Sequence, residues 1–591
     1  MTPQKNKGLR LLTAVLVVIL ILSRLLLLSA DPPSWMPGAW ITDEGWWADS
    51  ARGLYFFGDP FADDFGTSFL LCPGYTWSLL LLFQSLGIGI FQLRLISALS
   101  GILLVLGLSS FVGKKVSPRL VPFALLLGIL DPCLFGHSRV ALLEVPQALW
   151  LLLALLPLLP EKPRRWGPFC SGVCLAITFS IKPTAVTFGF LPIGMVLLLR
   201  LLRSRNAVRE ILFFGLGAAL LLGPLLLFHI LPHWDRFAAT LASETATGKD
   251  QLLDKLLYFG KFFNSTDDDG KFLLLWSAKA SPAILILSWL GLLSLARRRD
   301  QFLRSDSSQP RKRPFPFLRS LGTMELGILA FVFFSFVAYH SERDQAHRRL
   351  ALLVPGLALL GVHWALEKKK RRDVPLGMLS LLALSLPLLL AFKGLALPRL
   401  LPLLFPEAVR QDLRTSSNLA GLLTLLLWPL LLLPLLRWRS FFQGLATFAL
   451  EKGGKLLLAL ALLLQAGLLA TTCTNPRFDL VKEQTRLKEW VQAGETVLGD
   501  YAATLFFPIP VRTVRRVLPT AFSAPPPNLD VFERLQPRYL CENVIHGYLF
   551  YPPRYADIEK KHRFSSLTDV RIGPYRGETP RFLIRILERI R

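Results

Sequence analysis

Two adjacent carboxylates, Asp43 and Glu44, follow the first apolar segment of the chain. Thr42 or Asp43 is a suitable N-cap for a helix that runs toward Phe57. The dipole and free N–H groups of a first helical turn stabilise a carboxylate there as the anion. A general base that takes a proton from an acceptor hydroxyl must be such an anion. An acidic cap on a solvated helix is the alternative, and position alone leaves both interpretations open.

Arg139 and Glu144 stand at one end of a later apolar segment, and Lys182 stands in a turn between two more. A charge at the centre of a membrane helix costs roughly 2.5–3.5 kcal/mol, so it is usually paired or functional. An Arg139–Glu144 ion pair is one explanation, although a spacing of five on one helix is poor pairing geometry. Lys182 either snorkels to the interface or holds a lipid phosphate as a point charge.

A third group of charges, Arg343, Arg348 and Arg349, lies in a short loop just before an apolar run. The topology predicted below places this loop on the outer face, where excess positive charge is unusual. Arginine there favours an anionic partner, and a phosphate is the natural one. This loop therefore predicts a phosphate-binding site.

The elements that must position these groups are membrane helices. The chain has 591 residues, 52% of them hydrophobic, and a mean hydropathy of +0.46. Several apolar runs reach the roughly 18 residues needed to cross the hydrocarbon layer. The net charge of +26 comes from basic clusters in short loops between those runs. That pattern reports membrane topology and anionic lipid, and it argues against a nucleic-acid partner.

The basic clusters predict a cytoplasmic N-terminus and about thirteen crossings, so that the C-terminus lies outside. We expect the inner membrane of a bacterial cell. Tyr75 to Phe91 is apolar enough to span, but a crossing there would invert every later loop, so we predict a re-entrant or surface helix on the outer side. The predicted spans are about 11–29, 95–112, 120–136, 141–159, 166–181, 184–202, 210–231, 273–295, 323–340, 350–366, 374–392, 419–436 and 456–470.

The predicted fold class is a polytopic α-helical membrane protein with a small C-terminal α/β extracytoplasmic domain. Residues 1–470 form the transmembrane module, and 471–591 form the soluble domain, with strand-like runs at Thr496–Gly499 and Tyr548–Tyr551. The large outer loops are predicted at about 30–94, 232–272 and 393–418.

The order of these motifs resembles the GT-C superfamily of membrane glycosyltransferases, especially the protein O-mannosyltransferases and the lipid A aminoarabinose transferases. Asp43 and Glu44 match the acidic pair of the first outer loop, and Arg94 matches an arginine that opens a later helix. The other matches are Cys72–Tyr75 to a Pro-Pro-Leu-like segment, Arg139 with Glu144, Lys182-Pro183, and Arg349 to Pro355. Three positions depart from the family pattern, namely Glu144 for aspartate, Cys72 for proline and Leu350 for tyrosine.

The resemblance implies an inverting, single-displacement glycosyltransferase that uses a polyprenyl-phosphate sugar donor and a lipid, glycan or protein acceptor at the membrane. Its catalytic carboxylates would be Asp43, as the base, with Glu44 and Glu144. Its donor-phosphate ligands would be Arg94, Arg139, Lys182, Arg343, Arg348 and Arg349. Some members of these families bind a divalent metal near the site, and nothing in the spacing here requires a metal or another cofactor.

Other functions remain open at this point. A lipid-linked sugar transporter or flippase would also carry charges within the membrane, but we find no internal repeat of the kind expected for one. A polysaccharide polymerase or ligase is closer in chemistry, but it does not need an early acidic pair. A non-enzymatic scaffold leaves the arginine-rich loop unexplained.

Overall fold

A computed structural model gives the structure of this protein. The residues that it describes are 3–33, 40–61, 67–160, 165–182, 189–201, 207–238, 454–474, 476–499, 501–514, 536–546, 549–550, 562–576 and 579–590, with a few isolated positions between 240 and 359. Elements are numbered in chain order through these ranges. The predicted spans from 273–295 to 419–436 and the outer loop at 393–418 lie outside the described elements.

The first part of the chain is helical, as its apolar runs predict. Prolines stand in the first turns of several of these helices, where a missing N–H costs nothing. The helices are α1 (Pro3–Leu25), α2 (Trp40–Phe57), α3 (Thr67–Leu71), α4 (Pro73–Leu86), α5 (Ile90–Lys115), α6 (Val121–Leu130), α7 (Pro132–Ser138), α8 (Glu144–Leu155), α9 (Gly167–Ile181), α10 (Leu191–Leu201), α11 (Ala207–Leu225) and α12 (Gly454–Thr474).

Three helical stretches in the described residues are long and apolar enough to cross a membrane, at Lys7–Leu25, Ile90–Lys115 and Ala207–Ala238. A fourth crossing is reached if two helices bent by 61° at a break, Pro118–Leu130 and Pro132–Ser138, count as one. The prediction of one continuous helix at about 120–136 is therefore wrong, because the chain forms two helices there. Asp131 makes the break, because its carboxylate accepts the N–H of Leu134 at 2.8 Å and starts α7.

The apolar segment that the charge pattern excludes from crossing forms the separate helix α4. Gly87, with φ +80°, ends it, and α5 begins at Ile90. Helix α4 has 14 residues, a length of about 21 Å, which is short of the roughly 30 Å of hydrocarbon. Which side of the membrane it lies on stays a prediction.

The chain after α12 forms a mixed sheet with two helices, α13 (Asp479–Trp490) and α14 (Ala502–Leu505). The strand order is β2-β1-β3-β6-β5, with β4 paired to β3. Strand β1 is parallel to β2 and β3, whereas β6 is antiparallel to β3 and β5. Both strand-like runs predicted from sequence contain strands, β1 and β4. The strands are β1 (Thr496–Leu498), β2 (Arg512–Val514), β3 (Tyr539–His546), β4 (Leu549–Phe550), β5 (Phe564–Arg576) and β6 (Thr579–Arg589).

Two apolar cores organise these elements. The first joins the long helices and contains Leu104 of α5, Leu151 of α8 and Leu175 of α9. The second is shared by both parts of the chain, because Trp47 and Phe83 of the helical part belong to one buried cluster with Phe507 and the inner face of the sheet. The sheet domain, residues 476–590, therefore packs directly on α2 and α4.

Candidate functional site

Helix α2 carries the acidic pair. It begins at Trp40, so Asp43 lies within the first turn and does not cap the helix as predicted. Asp43 and Glu44 are both buried, with 7% and 0% of their surfaces exposed. An acidic cap on a solvated helix is thus excluded, because these carboxylates face protein.

Glu44 is held by a bidentate ion pair with Arg94 of α5. The Arg94 Nε–H donates to Glu44 Oε1 at 2.7 Å, and Nη2 donates to Oε2 at 2.8 Å. The backbone N–H of Ala141, before α8, also donates to Oε1 at 2.7 Å. Glu44 therefore joins α2 to the ends of two other helices.

The remaining Arg94 amino group is bound to the backbone. Its Nη1 donates to the carbonyls of Leu28 at 3.0 Å and Ala30 at 2.6 Å, in the turn after α1. Arg94 is fully buried. This guanidinium is satisfied inside the protein, which is the arrangement that makes a buried charge tolerable.

A second buried ion pair joins α8 to the end of α9. Lys182 Nζ donates to Glu144 Oε1 at 2.7 Å, and Glu144 is fully buried. The ammonium also lies 5.1 Å from the centre of the Trp47 ring, a cation–π contact. Since Trp47 follows Asp43 by one helical turn, the lysine and the Asp43 carboxylate lie along the same face of α2.

Close backbone packing sets where α9 presents Lys182. A Cβ added at Gly172 of α9 would lie 2.0 Å from the Phe214 carbonyl oxygen of α11. A Cβ added at Gly217 of α11 would lie 2.1 Å from the Phe169 carbonyl oxygen of α9. The two helices therefore approach so closely that only glycine fits at these points.

Arg139 lies at the C-terminal end of α1 and does not share an ion pair with Glu144. Its Nη1 donates to the carbonyls of Ser23 at 2.9 Å and Leu26 at 2.7 Å, and Nη2 donates to that of Leu27 at 2.5 Å. A cation at a helix C-terminus is favourable because the terminal carbonyls carry partial negative charge.

Tyr75 of α4 completes the site and was matched only loosely by motif. It is 1% exposed. Burial, followed by the nearby carboxylate of Glu44, raises the pKa of the Tyr75 hydroxyl. The Tyr75 phenol therefore keeps its proton beside Glu44 and Glu144. Its position in an apolar helix gave no local signal of a site.

Part of the predicted site lies outside the described residues. This applies to Arg343, Arg348 and Arg349, and to Pro183 after the lysine. Within the described ranges no group of three or more His, Cys, Asp or Glu side chains is arranged to hold a metal ion.

Comparisons with known proteins show which solved structures resemble this fold. No family model matches the chain, and no curated protein matches it in sequence. The crystal structure of ArnT from Cupriavidus metallidurans in the apo state matches with a TM-score of 0.50 at 15% identity, over 99% of this chain and 98% of that one. ArnT bound to undecaprenyl phosphate gives 0.48 at 15% identity, over 98% of both chains. The oligosaccharyltransferase AglB from Archaeoglobus fulgidus, in complex with an inhibitory peptide and a dolichol-phosphate, gives 0.47 at 14% identity, over 92% of this chain and 70% of that one.

The match to ArnT spans nearly the whole of both chains and confirms, at the level of fold, the resemblance predicted from the sequence. At this sequence identity the match concerns the fold alone.

Proposed function

We propose that this chain, which has the fold of ArnT, is a membrane glycosyltransferase. It moves a sugar from a polyprenyl-phosphate donor to a hydroxyl of a lipid, glycan or protein acceptor on the outer face of the membrane. The observation that carries the proposal is that α2 presents a buried Asp43 one turn before Trp47, and that the buried ammonium of Lys182 lies on the Trp47 ring.

Asp43 is assigned as the general base. Its neighbour Glu44 is already occupied by Arg94 and by the Ala141 N–H. Glu44 therefore holds α2 in place, and we assign the proton transfer from the acceptor to its buried neighbour Asp43. The acceptor oxygen then attacks the anomeric carbon, and the bond from that carbon to the phosphate oxygen breaks. Polyprenyl phosphate leaves with the electron pair, and one displacement inverts the anomeric centre.

Lys182 is assigned to the donor phosphate. An ammonium has three N–H donors, and in the described part of the chain Glu144 takes one of them at 2.7 Å, which leaves two for phosphate oxygens. Arg94 donates to Glu44 and to two main-chain carbonyls. Arg139 makes three hydrogen bonds to main-chain carbonyls at the end of α1, which fix its guanidinium there. We therefore reassign these two arginines from phosphate binding to positioning. The loop with Arg343, Arg348 and Arg349 is proposed to supply the further phosphate ligands.

The test incubates purified protein in detergent with a panel of undecaprenyl-phosphate sugars and measures release of undecaprenyl phosphate. Asp43→Asn should lower turnover by about 10²–10⁴-fold, because loss of a general base costs that much. Asp59→Asn is the matched control, since the Asp59 carboxylate accepts the N–H of Phe61, two residues later in a loop. Turnover in Asp43→Asn equal to that of the control would show that Asp43 is not the base.

The same assay separates the proposal from a flippase. A flippase moves the intact lipid-linked sugar across the bilayer and leaves the sugar–phosphate bond unbroken. Translocation of a fluorescent lipid-linked sugar in proteoliposomes, without release of polyprenyl phosphate from any member of the panel, would replace the glycosyltransferase proposal with the transporter.

A further inference from the structure

Arg52 lies two helical turns after Glu44 on α2 and is buried, with 1% of its surface exposed. Its guanidinium enters the sheet domain. Nε donates to the carbonyl of Phe507 at 3.0 Å, and Nη2 donates to the carbonyl of Ile509 at 2.6 Å and to that of Val511. One side chain of α2 thus binds three carbonyls in the segment between α14 and β2.

Asp49 and Thr513 complete this contact. Arg52 Nη1 donates to Thr513 Oγ1 at 3.0 Å, and that hydroxyl donates to Asp49 Oδ1 at 2.6 Å. Asp49 Oδ1 also lies 3.4 Å from Arg52 Nη1. The positive charge is therefore balanced by a carboxylate one turn earlier on the same helix, and strand β2 bridges the two.

A second contact lies beside the acidic pair. The backbone N–H of Gly45 donates to Thr504 Oγ1 at 3.0 Å. A Cβ added at Gly45 would lie 2.3 Å from the Thr504 nitrogen and 2.4 Å from the Ala503 carbonyl carbon. Helix α14 therefore packs directly on the turn that presents Asp43 and Glu44.

Helix α2 is thus bound on two sides. Arg94 and Ala141 hold Glu44 from the membrane helices, and the segment 504–513 holds Gly45 and Arg52 from the sheet domain. We propose that Arg52 is a positioning residue through which the C-terminal domain fixes α2, and with it Asp43, in the geometry that the site needs. The consequence for turnover rests on the proposed function, whereas the mechanical role does not.

The mechanical role is tested by hydrogen–deuterium exchange of the α2 amides in the purified full-length protein. Each hydrogen bond to a charged group favours the closed over the open state by more than about a factor of ten. Arg52→Gln should therefore raise exchange in Trp40–Phe57 by about tenfold or more, while α5 and α8 stay protected. Thr513→Val, a milder change on the domain side, should move exchange in the same direction by a smaller factor.

Arg538→Gln is the matched control. Arg538 pairs with Glu495 and Glu588 within the sheet domain and makes no described contact with α2. It should leave α2 exchange unchanged. If Arg52→Gln unfolds the protein, Thr513→Val decides the question. The proposal is overturned if the α2 amides of Arg52→Gln, or of Thr513→Val where Arg52→Gln does not fold, exchange as slowly as those of Arg538→Gln.

Turnover gives a second readout, with whichever undecaprenyl-phosphate sugar the panel identifies. Loss of positioning should lower kcat by about tenfold with KM for the donor within about twofold, because Lys182 does not contact Arg52. A rise in KM alone would assign Arg52 to donor binding and overturn the positioning role. If no panel member is a substrate, the proposed function fails, while the exchange result still decides whether the domain holds α2.

Discussion

Removing the Glu44 charge while keeping its shape should destabilise the protein through Arg94. In Glu44→Gln the amide can still accept the Ala141 N–H, but the buried guanidinium loses its counter-charge and both short contacts with a carboxylate. Breaking a buried pair from one side costs about 3–5 kcal/mol. The entropy of unfolding grows with chain length, so for 591 residues the shift is roughly 1 °C per kcal/mol, and the apparent melting temperature should fall by about 3–5 °C.

The assay is a double-mutant cycle with Arg94→Met. That single variant orphans Glu44 and leaves the carbonyls of Leu28 and Ala30 without their donor. The double variant leaves neither charge of this pair without its partner. Its loss of unfolding free energy should therefore be smaller than the sum of the two single losses, by about 2 kcal/mol or more. Thermal unfolding in one detergent, at one scan rate, measures all four proteins. Additivity of the two substitutions within about 0.5 kcal/mol would refute the ion pair as the element that holds α2 on the membrane helices.

Three further predictions concern other contacts of the site and its supports. Lys182→Gln should lower kcat/KM for the sugar donor by about 10- to 100-fold, because it removes a charged hydrogen-bonding group from the phosphate. Turnover at saturating and at limiting sugar donor measures this effect. An unchanged dependence on the sugar donor counts against the assignment. Gly217→Ala should lower the melting temperature, because its Cβ would meet the Phe169 carbonyl oxygen at 2.1 Å, whereas Gly215→Ala on the same helix meets nothing within 4 Å; equal melting temperatures for the two variants would contradict the close packing of α9 and α11. Burial, above all, raises the pKa of Asp31 from 3.8 to about 6, so the folded protein keeps a proton between those pH values that the unfolded chain has released. Stability should fall as pH rises through that window, by at most about 3 kcal/mol, and melting curves of Asp31→Asn from pH 4 to pH 7 should lack this part of the decline.

Local patterns in the chain predicted several elements well. The helix near Asp43, the long helix that contains Arg94 and the strand at Thr496 each follow from the composition and periodicity of their own segment. The N-cap at residue 42 or 43 is wrong, because the helix continues back to Trp40. Caps are local signals, but a helix that packs on two neighbours can extend past a good capping residue. Membrane sidedness and the phosphate-binding role of Arg343, Arg348 and Arg349 stay predictions.

The resemblance of motifs correctly indicated the fold, but it did not indicate the partners of the charged residues. Arg139 was expected to bind phosphate or pair with Glu144, and the structure gives it the carbonyls at the end of α1. Glu144 pairs instead with Lys182, 38 residues later. A charged side chain binds whichever opposite group the packed helices bring near it, and spacing along one helix limits only its neighbours on that helix.

By itself the sequence determined that the protein is built on membrane helices, that a sheet follows them, and that an acidic pair stands near the start of a helix after the first apolar segment. These features depend on hydrophobic period and length, which are written within single segments. Only the tertiary structure decided that Glu44 is tied to Arg94 and that Arg52 reaches carbonyls 455 to 459 residues further along the chain. Such contacts form only after distant elements have packed, because the apolar surface they bury together, and not any local preference, selects which charged groups meet.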